Sequence, residues 1–101
     1  MNKILADILQ TRMVRDENGQ EIPVHSEIPP EEGELIGSAI REVQPTRSIE
    51  VGFAYGVSAL FACDSLAPLN HECRHIVIDP FQRTQWGGIG LKNMSGPGMI
   101  G

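Results

Sequence analysis

The strongest constraint on this chain is the order of four short patterns between residues 47 and 79. "RSIEVG" (47–52) reads as a short strand that ends in glycine. "FAYG" follows as a loop, then "VSALFACDSLA" as a helix of about 57–67, apolar on most sides and therefore central. Pro68 stops it, and "RHIVID" (74–79) is a second strand. Ile76, Val77 and Ile78 are consecutive, the pattern of a parallel strand covered on both faces. Strand, glycine loop, helix and strand make one βαβ unit, expected to be right-handed. The predicted class is α/β.

The flanking segments are less regular. Residues 2–11 suggest an amphipathic helix with Ile4, Leu5, Ile8 and Leu9 on one face. Asn18-Gly19 is a tight-turn signal, which predicts a small hairpin from Met13–Val14 and Glu21–Val24, with Pro23 restricting it to an edge. "IPPEEGELIGSAIREVQP" predicts a helix of about 31–43. Its prolines suit the first turn, and Glu31, Glu32 and Glu34 lie where the helix dipole favours negative charge. Leu35, Ile36, Ala39, Ile40 and Val43 form its apolar stripe. "TQWGGIGLKNM" can begin another helix, whereas "SGPGMIG" predicts a frayed terminus. The expected division is 1–30 as helix and hairpin, 31–93 as the βαβ unit with its preceding helix, and 94–101 as a flexible tail.

Composition excludes several function classes. The 101 residues suffice for one small domain, and 41% apolar with 21% charged residues is globular in character. Net charge is −5, and all of it lies in residues 1–50, which hold ten acids and five bases against three of each in the remainder. No basic stripe is present to follow a phosphate backbone, so nucleic acid is not an expected partner. Cys63 and Cys73 do not form a CxxC pair, and His25, His71 and His75 do not make a zinc pattern, so no metal is expected. Two reduced thiols, no signal-like opening and no membrane-length apolar run lead to a cytoplasmic expectation without a membrane partner.

The glycine loop is where an open α/β sheet binds nucleotides, because a ligand can approach the backbone and the free N–H groups of the following helix. Three ligand classes are open. A phosphate loop needs G-x-x-x-x-G-K-[ST]; here the glycine spacing is one shorter and no lysine follows Gly56. A dinucleotide site needs G-x-G-x-x-G, but Ala54 occupies the second position, and Glu50 would repel a pyrophosphate. A nucleoside carrying positive charge fits better, since Glu50 can then pair with an ammonium. S-adenosylmethionine is such a ligand. Asp79 ends the second strand, 27 residues after Gly52, where an acid can accept both ribose hydroxyls. Its plain alternative is a turn before Pro80.

With the acid, both glycines, Ser58 and Asp79 in place, "IEVGFAYGVSAL" resembles motif I of class I S-adenosylmethionine-dependent methyltransferases of the small-molecule O-methyltransferase (catechol) type, E-x-G-x-x-x-G-x-S. "HIVIDPF" resembles the second strand of that family with its ribose-binding acid, and the helix at "PPEEGELIGSAIREVQP" resembles the one that precedes motif I. The resemblance covers roughly residues 25–93. It implies that Glu50 orients the methionine ammonium, that Gly52 and Ala54 let the backbone lie against the ligand, and that Ser58 bonds the methionine carboxylate. It further implies that Asp79 holds the ribose and that Ile28 flanks the cofactor. Gly56 completes the loop, and Tyr55 and Phe81 are adjacent to the site. His25 reads as a surface histidine, Trp86 as an anchor for the next helix and Cys63 as packing.

The fold implied is a partial Rossmann-like open parallel sheet with N-terminal helices, truncated relative to a seven-stranded methyltransferase sheet. The third strand with its adenine-contacting loop and the later strands have no counterpart, so no catalytic residue is identified. The implied function is the cofactor-binding part of a methyltransferase acting on a small-molecule acceptor, ended early and with little activity alone. The alternative is a non-catalytic remnant or interaction protein that keeps the βαβ core for stability. Two strands leave unpaired edges, so self-association is expected.

Overall fold

The computed structural model describes residues 1–25, 28–69 and 72–94. It is a small α/β protein with four helices and two two-stranded sheets among the described residues. Helix α1 (Lys3–Thr11) begins where the Asn2 side chain accepts hydrogen bonds from the N–H groups of Ile4 and Leu5 at 2.9 and 3.2 Å. It ends at Arg12, which turns into the left-handed region with φ 61°. Strands β1 (Met13–Arg15) and β2 (Glu21–Pro23) pair antiparallel with Val14 opposite Ile22. Asp16 pairs with Gln20, and Gly19 sits at φ 77°, so the loop contains three residues and ends in a left-handed glycine. The Asp16 carboxylate accepts from the N–H groups of Asn18 and Gln20 and fixes that turn.

Helix α2 (Pro30–Val43) carries Pro30 at its first position and Glu31 and Glu32 in its first turn, as the sequence predicts. Its buried face is shifted from the predicted stripe: Gly33 and Gly37 join Ile40 and the half-buried Ile36, the two stripe members that face inward. Leu35 and Val43 are each 71% exposed. The reason is steric. A methyl group at Gly33 would lie 2.5 Å from the Phe61 ring, and one at Gly37 would lie 2.8 Å from Ser65 Oγ. The two glycines let α2 settle close against helix α3 (Val57–Leu66).

Helix α3 is the centre of the molecule. It contacts α1, α2, strand β4 and the last helix, and Val57, Ala59, Leu60, Phe61, Ala62 and Leu66 are buried. Leu5, Ile8 and Val14 from the first thirty residues join the same core as Tyr55, Leu60 and Phe61.

Strands β3 (Arg47–Val51) and β4 (Arg74–Ile78) are parallel, with Ile49 opposite Ile76 and Val51 opposite Ile78. With α3 between them they form the expected βαβ unit. Only one face is covered, contrary to the reading of Ile76–Ile78 as buried on both sides. Ile49, Val51, Ile76 and Ile78 project from the other face and are 45–79% exposed. The short helix α4 (Ile89–Met94) follows a series of turns, and Met94 belongs to it rather than to a tail. The expectation of a frayed terminus over residues 95–101 lies outside the described residues. No helix among them is long and apolar enough to cross a membrane.

Candidate functional site

The loop from Gly52 to Gly56 joins β3 to α3 in an unusual backbone path. Gly52, Ala54 and Gly56 all have positive φ, at 84°, 50° and 87°. Two are glycines, for which the left-handed region costs little; Ala54 is held there against its preference. Asp79 supplies part of the restraint. Its Oδ2 accepts from the N–H groups of Phe53 and Ala54, each at 3.2 Å, and from the Gln82 amide at 3.1 Å. Oδ1 accepts from the Phe81 N–H at 3.0 Å. Gln82, buried beside it, also donates to the Ala54 carbonyl at 2.8 Å. Burial alone would raise the Asp79 pKa; the hydrogen bonds from Phe81, Gln82, Ala54 and Phe53 outweigh it and hold the carboxyl below its ordinary range.

The two loop glycines serve different ends. A side chain at Gly52 would meet nothing within 4 Å, so that position leaves open space beside the backbone. At Gly56 an added methyl would lie 3.3 Å from the Gly90 carbonyl oxygen and 3.4 Å from the Phe53 ring. Gly56 therefore fits the loop against α4.

Six of the eight residues assigned from the sequence line one cavity of about 480 Å³: Ile28, Glu50, Gly52, Ala54, Tyr55 and Ser58. That volume lies within the range of small-molecule sites, about 300–1,000 Å³. Gly56 is not among the lining residues. Asp79 faces a second, larger concavity of about 1220 Å³ beside β4 and α3.

The lining of the first cavity includes one acidic group. Ser58 donates its hydroxyl to Glu50 Oε2 at 2.5 Å, and His75 Nε2 lies 2.9 Å from Glu50 Oε1. His75 Nδ1 lies 2.7 Å from Ser48 Oγ. The lining also includes an aromatic group. His25, Tyr55 and Trp86 form a ring cluster with centroids 5.2–5.5 Å apart, and Tyr55 Oη lies 2.9 Å from His25 Nε2. Burial pushes the Tyr55 hydroxyl pKa up, so it stays protonated. Among the described lining residues no lysine or arginine appears, and Glu50 is the one carboxylate. Beyond Glu50, burial and the Glu50 charge together push the Cys63 thiol pKa up.

Three residues were read otherwise or missed in the sequence. His25 is exposed, as expected of a surface histidine, and lines the cavity as well. Trp86 packs against the core, as expected of an anchor, and lines the cavity as well. His75 stands in β4 between Arg74 and the aliphatic run Ile76–Ile78, and only the register, which places it opposite Ser48, brings it to Glu50. No family model matches this chain, and no curated protein does either.

Proposed function

We propose that this chain binds S-adenosylmethionine at the β3–α3 loop and is the cofactor-binding part of a class I methyltransferase with a Rossmann-like fold. The observation that carries the reading is the charge pattern of the cavity. A carboxylate, three aromatic rings and no lysine or arginine among the lining residues suit a cation and disfavour a phosphate. The donor set fits the ligand. The Glu50 carboxylate has about four acceptor positions, two of them taken by Ser58 and His75, which leaves room for an ammonium. The aromatic faces suit a sulfonium. The first turn of α3 has no side-chain cap, so its N–H groups suit the ligand carboxylate.

Two assignments change in detail. Ser58 already donates to Glu50, so bonding a ligand carboxylate requires its hydroxyl to turn. Both Asp79 oxygens are already engaged, Oδ2 by the loop N–H groups of Phe53 and Ala54 and Oδ1 by the Phe81 N–H, so its first task is the loop shape that a ribose would meet. Gly52 lines the cavity, is open on its free side and donates its N–H to the Ile78 carbonyl next to Asp79, which leaves the adenosine a path across the strand ends. Bound there, the ligand would supply an electrophilic methyl group to a small-molecule acceptor, while the residues of this chain bind and orient it.

Trp86 is the chain's single tryptophan and lines the cavity, so its fluorescence reports occupancy. Titration with S-adenosylmethionine should give a saturable change, with NAD and ATP much weaker. Tighter binding of either phosphate ligand, or no response to S-adenosylmethionine in calorimetry as well, removes the reading. The open apolar face of β3 and β4 favours a second reading, a non-catalytic interaction protein. Glu50→Ala separates the two: if binding is unchanged in a folded variant, the first reading fails.

A further inference from the structure

The covered face of the parallel pair holds a polar row where a core would be aliphatic. Ser48 and Glu50 point to it from β3 and His75 from β4, under the first turns of α3. The His75 side chain is only 7% exposed and that of Glu50 20%. Four groups form one line: Ser48 Oγ to His75 Nδ1, His75 Nε2 to Glu50 Oε1, and Glu50 Oε2 to Ser58 Oγ. A buried row of this kind restricts each member to one orientation.

We propose that His75 is a positioning residue for the ligand-binding carboxylate, an inference that rests on the reading of the cavity given above. A glutamate side chain has three rotatable bonds, and Ser58 alone fixes one oxygen. The second contact, from His75, fixes the plane of the carboxylate and so the direction of the two acceptor positions left for an ammonium. The residue type matters. A lysine or arginine at this place would bring a positive charge that competes with the ligand for Glu50. A neutral imidazole donates one hydrogen bond and leaves the charge for the ligand. It can do so only with the proton on Nε2, and Ser48 selects that tautomer by donating its hydroxyl to Nδ1. Ser48 therefore acts through His75, and His75 through Glu50. Neither touches the cavity.

The test compares two ligands. S-adenosylmethionine carries the ammonium; 5′-methylthioadenosine keeps the nucleoside and the sulfur and lacks the amino-acid part. In His75→Leu, S-adenosylmethionine affinity should fall about tenfold while 5′-methylthioadenosine affinity stays within about twofold. His75→Gln, which retains an amide donor, should recover most of the loss. An equal loss for both ligands makes His75 a structural residue only and overturns the proposal, as does no loss for either. If the wild-type chain binds neither ligand, the functional reading falls and this inference with it. Nitrogen-15 NMR of the wild-type ring checks the geometry without any ligand, and remains decisive if His75→Leu fails to fold. The Nε2–H tautomer is expected, and the Nδ1–H tautomer overturns the proposal.

Discussion

Neutralising Glu50 has a consequence that reaches beyond the cavity. The charge raises the Cys63 pKa, second to burial, so Glu50→Gln should lower it. At a fixed mildly alkaline pH, Cys63 should then react faster with a thiol reagent, read residue by residue with mass spectrometry. Asp79 gives a prediction of opposite origin. Its folded pKa lies below the ordinary carboxylate value, so its contribution to stability is present above that value and lost as pH falls through the lower, folded one. Thermal melts should show stability declining on acidification below about pH 4, near the unfolded aspartate value. Asp79→Asn should remove that part of the decline and lower stability at neutral pH, because the Phe53 and Ala54 N–H groups would lose their charged acceptor.

Helix α2 shows how packing can override an apolar pattern. Of the apolar stripe Leu35, Ile36, Ala39, Ile40 and Val43, only Ile36 and Ile40 face inward, and the helix turns Gly33 and Gly37 toward α3 beside them, because the shortest interhelical approach needs the smallest residues. Gly33→Ala should therefore cost about 1–3 kcal/mol in denaturant unfolding through its clash with Phe61. Leu35→Gln, on the exposed face, should change stability by no more than about 0.5 kcal/mol. The same contrast explains what could be read without coordinates. The βαβ order, the α2 start and the lining roles of Glu50, Gly52 and Ser58 rest on local signals: spacing, proline, glycine and an acid out of place. His75, Gln82 and the ring cluster depend on which residues lie opposite one another across 25 to 60 positions of chain. Neither periodicity nor motif spacing contains that register. Asp79 lies between the two cases. The acid was visible at the strand end; its four hydrogen bonds within the loop region were not.

For the molecule as a whole, the open face of the parallel pair is the dominant surface feature. Parallel strands are ordinarily covered on both faces, and here four aliphatic side chains stand in water at 45–79% exposure beside strand edges that are unpaired among the described residues. Self-association is the expected result. Sedimentation should show a concentration-dependent rise in mass, and Ile49→Lys with Ile76→Lys should suppress it while leaving the fold intact, because both positions are already exposed. The anchoring of the glycine loop has a temporal side too. The ribosome delivers Gly52 to Gly56 well before it delivers Asp79 and Gln82. At about 5–20 residues per second, the loop spends a second or more with its amides in water and no fixed path. The glycine loop therefore has no fixed shape of its own while the chain is young. It acquires one only when a later strand arrives and closes on it.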